Sequence, residues 1–149
     1  YNYALAAIDG TSEIHISENT VSSSLLEIEE THLSAAPDSK YLKKETIQLK
    51  KLDSIFEEEL NLRNKNVFLK IDTQGFEMEV LKGADNVLKN IIGLQLELSI
   101  TEMYKGEALF DEIIAYLKQR AFVLYQLEPG LVNTNTGRLL QFDGIFYKS

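Results

Sequence analysis

Apolar and polar positions alternate or recur along most of the chain with periods that name its elements. Residues 3–8 are apolar and run into Asp9-Gly10. After that, Glu13-Ile14-His15-Ile16-Ser17 alternates with period two, which predicts two strands joined as a hairpin by the aspartate–glycine turn. Between residues 17 and 44 the periodicity is lost, serine and acid accumulate, and Pro37 interrupts the segment; an excursion this long is expected to be functional or mobile. Thr46-Ile47-Gln48-Leu49 predicts another strand. Asp53 is then placed to cap a short helix whose apolar positions Ile55, Phe56 and Leu60 share a face.

The second half is more regular. Val67-Phe68-Leu69-Lys70-Ile71 is nearly continuous apolar sequence ending at Asp72, as in a strand covered on both faces of a parallel sheet. Phe76, Val80, Ala84, Val87, Leu88 and Ile91 recur at helical spacing, with an interruption expected near Gly83. Leu94, Leu96, Leu98 and Ile100 return to period two and leave Gln95, Glu97 and Ser99 on the opposite face. Leu109, Ile113, Tyr116 and Leu117 predict a further helix; residues 122–127 predict a strand, residues 133–137 a turn, and residues 145–147 a last strand. Strand–helix–strand–helix–strand implies an α/β fold with a mostly parallel sheet, its last strand antiparallel to its predecessor, in one domain spanning 1–149.

Composition narrows the chemistry. Of 149 residues, 15 are lysine or arginine and 23 are aspartate or glutamate, a net charge of −8, which repels nucleic-acid backbones. Cysteine is absent, so thiolate nucleophiles and cysteine-ligated zinc are excluded, and His15 and His32 are the only imidazoles. No apolar run reaches the roughly 20 residues of a membrane helix, so a membrane partner is not expected and a cytoplasmic location is. Carboxylates, amides and hydroxyls remain.

In open α/β sheets, ligands sit beyond the carboxyl ends of the strands, where Asp72 falls, followed by a turn through Thr73, Gln74 and Gly75. Asp72 either meets a ligand or caps the next helix. Glu97 lies on the neighbouring predicted strand, so the two acids are expected side by side, lining a polar cleft or a solvated sheet face. Glu77 and Glu79 read as first-turn carboxylates favoured by the helix dipole. His32 is a candidate base within the excursion, and His15 is set aside.

Leu69-Lys70-Ile71-Asp72-Thr73-Gln74-Gly75-Phe76-Glu77, then Val80-Leu81-Lys82-Gly83-Ala84, Leu94-Gln95-Leu96-Glu97-Leu98 and the run Gly137 to Phe146 together resemble the C-terminal part of the FkbM-type methyltransferase family. Tyr3-Ala4-Leu5-Ala6, Asp9-Gly10, residues 22–26, Thr31-His32-Leu33 and Lys51-Leu52-Asp53 follow the family's order of landmarks. The resemblance implies a Rossmann-like class I methyltransferase fold and S-adenosylmethionine as cofactor. It also implies O-methylation of a small-molecule or glycan hydroxyl. The family's glycine-rich turn and ribose-binding acid have no counterpart here, so these residues are expected to be the C-terminal portion of such a domain and to bind cofactor weakly by themselves.

Carried over residue by residue, the resemblance puts Asp72 and Glu97 at the reacting centre, with Asp72 positioning or deprotonating the acceptor and Glu97 raising its basicity. It puts Gln74, Asn19, Ser23, Ser24 and His32 around the acceptor, and Ala4 and Leu5 near the adenine; no metal is expected, and a homo-oligomer is left open. Two other classes stay open: a metal-assisted hydrolase using Asp72, Glu97 and Glu77, and a non-catalytic binding module.

Overall fold

The computed structural model describes residues 1–62 and 64–149. Its elements in chain order are β1 (Tyr3–Leu5), β2 (Gly10–Ser17), α1 (Glu30–Ala35), β3 (Tyr41–Lys50), α2 (Leu52–Ile55), β4 (Val67–Ile71), α3 (Glu77–Lys82), β5 (Ile91–Ser99), α4 (Phe110–Lys118), β6 (Phe122–Pro129) and β7 (Gln141–Lys148). Single 3₁₀ turns lie at Pro37–Ser39 and Leu88–Asn90. The strands form two sheets, ordered β1-β3-β2 and β4-β5-β7-β6. Both sheets are mixed: β1 with β3 and β4 with β5 are parallel, while β2–β3, β5–β7 and β6–β7 are antiparallel. The expectation of a mostly parallel sheet is therefore corrected, although β7 does run antiparallel to β6 as expected.

The predicted hairpin of the first two strands does not form, because β3 lies between them. Asp9 is the reason. Its carboxylate accepts the Lys51 amide at 2.8 Å and the Ser54 hydroxyl at 2.8 Å, which anchors the chain at the start of α2 instead of closing a tight turn. Asp53 is also redirected: it caps no helix but accepts the amides of Asn86 (3.2 Å) and Val87 (3.0 Å), tying α2 to the turn after α3. At Gly83 a Cβ would stand 1.9 Å from the Ala6 carbonyl oxygen, so the small sheet approaches the end of α3 as only glycine permits.

One face of the four-stranded sheet carries the main core. Ile71, Leu94, Leu96, Leu98, Phe122 and Phe146 pack there against Val80 and Leu81 of α3 and Ile113 and Leu117 of α4. The opposite face, with Phe68, Lys70, Gln95, Glu97 and Tyr147, is not covered in the same way, and Phe68 is 42% exposed. β4 is thus buried on one face rather than two, and its alternating burial replaces the continuous coverage its apolar run suggested.

The excursion from 17 to 44 is structured by hydrogen bonds rather than by apolar periodicity. Ser17, Ser22, Ser24, His32 and Ser39 are all buried, and His15 and Ser24 exchange backbone bonds at 2.8 and 3.1 Å. The Glu29 amide donates to the Met103 carbonyl (2.9 Å) and the Lys105 amide to the Glu27 carbonyl (2.8 Å), which docks the excursion on the loop after β5. A second, small core of Met103, Tyr104 and Leu140 seals that contact.

Candidate functional site

β4 and β5 run parallel with Ile71 opposite Leu96, so Asp72, one residue past the end of β4, comes level with Glu97. The chain then turns through Gln74 and Gly75, both with left-handed backbone (φ 56° and 91°). This turn is clamped from two sides. Glu77, at the start of α3, accepts the Thr73 amide at 2.8 Å and its hydroxyl at 3.1 Å, and the Ser24 hydroxyl donates to the Gln74 carbonyl at 2.6 Å. Glu77 is, as expected, in the first turn of α3 but is buried, and desolvation pushes its carboxyl up to about 7 despite the hydrogen bonds from Thr73.

The clamped turn aims the Gln74 side chain between the two acids. Its Nε2 donates to Asp72 Oδ1 at 2.8 Å and to Glu97 Oε2 at 3.1 Å, while its Oε1 accepts the Tyr104 hydroxyl at 2.7 Å. Glu97 Oε2 also accepts from Gln141 Nε2 (3.1 Å), which in turn reaches Ser99 Oγ (3.2 Å). Lys70 Nζ sits 3.0 Å from Asp72 Oδ2. Burial foremost, and then the charges of Asp72, Glu77, Asp143 and Glu107, push the Glu97 carboxyl up to about 8. The fold thus raises the proton affinity of Glu97.

These side chains open onto a cleft of about 360 Å³ lined by Asn19, His32, Asp72, Gln74 and Glu97 together with Ser22, Ser39, Gln141 and three apolar residues. A larger groove of about 770 Å³ between α3 and α4 holds none of the paired acids, and its rim charges Glu79 and Lys82 neutralise each other at 2.6 Å. The paired acids line the smaller cleft.

Five of the nine residues singled out from sequence thus meet in one place. Ser23 and Ser24 do not line the cleft. Ser23 Oγ is spent on the Thr20 carbonyl (2.8 Å), and Ser24 Oγ holds the Gln74 turn. Ala4 and Leu5 lie on β1 outside the cleft, with Leu5 packed against the main core. His32 lines the cleft and is 3% exposed; its Nε2 pairs with Ser39 Oγ at 3.1 Å, its Nδ1 is buried with no hydrogen-bond partner among the described residues, and desolvation lowers its pKa below the usual imidazole value. Asn19 spends Oδ1 on Ser17 Oγ and the Ser22 amide and Nδ2 on Ser22 and Ser39, so it shapes the wall.

Sequence reading missed Tyr104 and Gln141. Gln141 was accessible in principle, since it lies within the last motif and its register partner is Ser99; Tyr104 reaches the site from a loop by a contact that no local pattern encodes. Among the described residues, no three histidine, aspartate or glutamate side chains gather as a metal site. Among the same residues, no helix is long and apolar enough to cross a membrane.

A family model, the Methyltransferase FkbM domain, matches residues 1–124, and the chain belongs to that family of methyltransferase enzymes. No curated protein and no solved structure matches the chain. Methyltransferases of this family generally use S-adenosylmethionine. Two places that the sequence marked for close ligand approach, the turn at Gly75 and Ala4–Leu5 of β1, do not serve as its cradle. Gly75, the glycine in the turn after β4, lies under Tyr104, where a Cβ would stand 2.7 Å from Tyr104 Cβ, so its missing side chain makes room for protein and not for a ligand. Ala4 and Leu5 do not reach the cleft either.

Proposed function

We propose that the cleft binds a neutral, hydroxyl-bearing small molecule or glycan and prepares one hydroxyl for O-methylation, in a Rossmann-like methyltransferase whose methyl donor is S-adenosylmethionine. The observation that carries this reading is the pair of carboxylates bridged by a single amide at the carboxyl ends of two parallel strands. Asp72, whose side chain is 40% exposed, accepts a hydrogen bond from the acceptor and fixes its direction. Glu97 takes the hydroxyl proton: Gln74 and Gln141 occupy its Oε2, and Oε1 has no partner among the described residues. Its carboxyl, pushed up to about 8, is matched to proton removal near neutral pH. Asp72, Glu97 and nearby Asp143 disfavour a phosphorylated or carboxylated acceptor, because the adjacent cation, Lys70, is already paired with Asp72.

The test is the pH dependence of methyl transfer to neutral polyols by the intact enzyme. The rate rises tenfold per pH unit up to about pH 8 and then levels, as Glu97 becomes available as a base. A rate that is flat between about pH 6 and 9 contradicts the assignment.

A further inference from the structure

We propose that Tyr104 is a positioning residue whose hydroxyl locks the Gln74 amide in the one orientation that turns its nitrogen toward both Asp72 and Glu97. The inference rests on the reading of these two acids as the acceptor site, and adds to it a residue that touches neither acid.

The terminal torsion of a glutamine is broad and roughly two-fold, so a fixed backbone does not decide which way the amide faces. Here the backbone is fixed: Gln74 has φ 56°, and its carbonyl is held by Ser24 Oγ at 2.6 Å. The remaining freedom is removed at the far end, where the Tyr104 hydroxyl donates to Gln74 Oε1 at 2.7 Å. With the amide turned over, a carbonyl oxygen would face the two carboxylates, and an NH₂ group would face a phenol that is itself a donor. Tyr104 is fully buried, and desolvation pushes its phenol above the usual value, so it remains a donor over the working pH range.

Tyr104 is itself held in register with the acids. Glu107 accepts the amides of Met103 and Tyr104 (3.1 Å for the latter) and the hydroxyl of Ser99 (2.9 Å), which ties this loop to β5 two residues beyond Glu97. The Tyr104 ring fills the space left by Gly75, and the His32 ring meets it edge-on at 5.0 Å. The same phenol that packs the turn thus sets the hydrogen bonding of the acid pair.

The groups facing Glu97 are Asp72 after β4, Glu77 on α3, Asp143 on β7 and Glu107 on the loop, with Lys70 as the nearby cation and Gln74 and Gln141 as donors. Of the two donors, Gln74 is the one that Tyr104 holds. Carboxyl ¹³C NMR titration of Glu97 in the whole protein reads that control directly. Tyr104→Phe keeps the ring, frees the amide, and raises the Glu97 midpoint by roughly half to one pH unit, the worth of one hydrogen bond to a carboxylate. Gln74→Met, which leaves the phenol in place, raises it by a similar amount, and in that background Tyr104→Phe adds nothing. An unmoved midpoint in either single variant overturns the proposal, as does an equal shift from Tyr104→Phe in both backgrounds, which would mean that Tyr104 acts through packing alone. No methyl transfer enters this measurement, so failure of the acceptor-site reading shows in the transfer assay and leaves the titration result standing.

Discussion

Replacing Glu97 by glutamine removes a carboxyl that the fold holds protonated, and should stabilise the protein at alkaline pH while leaving it nearly unchanged in mild acid. The carboxyl moves from an ordinary 4.5 to about 8, a difference of 8 − 4.5 = 3.5 units, whose ceiling at 1.36 kcal/mol per unit is about 5 kcal/mol. Relaxation and water entry reduce such ceilings, so about 2 kcal/mol is expected, or roughly 4–8 °C in Tm for a chain of this size. The native state retains a proton that the unfolded chain gives up. The stabilisation from this proton is fully present below 4.5 and is lost as pH rises through about 8. Glutamine offers a carbonyl oxygen to the same Gln74 and Gln141 donors and carries no titrating group. Thermal unfolding of both proteins at half-unit steps from pH 5 to 9 gives the difference curve. Curves that stay parallel over that range, or a glutamine variant less stable than the parent at pH 9, would refute the reasoning.

Gly75→Ala should cost about 2–4 kcal/mol in urea unfolding, because it adds a Cβ at φ 91° and 2.7 Å from Tyr104 Cβ; a loss below about 0.5 kcal/mol would mean the turn is free to rearrange. Asp53→Ala should cost about 1–2 kcal/mol by uncapping the amides of Asn86 and Val87, which bond to different carboxylate oxygens; Asp53→Leu should match that loss and Asp53→Asn, with one acceptor left, should recover only part of it. In hydrogen exchange, the amides of Ser24 and Glu29 should be protected to within about tenfold of those in β4, since they are bonded to the His15 and Met103 carbonyls; exchange at free-peptide rates would show 17–44 to be a mobile excursion.

What could be read from the sequence follows the range of the interactions. The period-two run Leu94, Leu96, Leu98 places β5 correctly and puts Glu97 on the polar face, because burial on one side of a sheet imposes that period. Parallel pairing of consecutive strands then brings Asp72 beside Glu97, and the Gln74 bridge confirms that neighbourhood. The insertion of β3 between β1 and β2 was not legible: Asp9 looks like a turn residue in isolation and becomes an anchor only when Lys51 and Ser54 arrive from forty residues away. The internal order of the excursion was not legible for a similar reason. Its buried serines satisfy one another, Ser22 Oγ lying 2.9 Å from Ser39 Oγ, so its order comes from a polar network that leaves no apolar periodicity to detect. Tyr104 belongs to this class too, its role depending on a contact thirty residues away.

Whether the Asp72–Glu97 cleft is the acceptor site of a methyltransferase is decided by transfer of radiolabelled methyl from S-adenosylmethionine to neutral polyols by the intact enzyme and by its Asp72→Asn variant, with thermal unfolding measured alongside. Asp72 is partly exposed, and its hydrogen bonds run to Lys70 and Gln74, so the variant should lose roughly a hundredfold or more in kcat/KM, the usual worth of a positioning or acid–base group. Its Tm should stay within about 2 °C of the parent, as for a surface substitution outside the core. A variant that keeps full transfer while melting several degrees lower would contradict the account and reduce Asp72 to a structural cap.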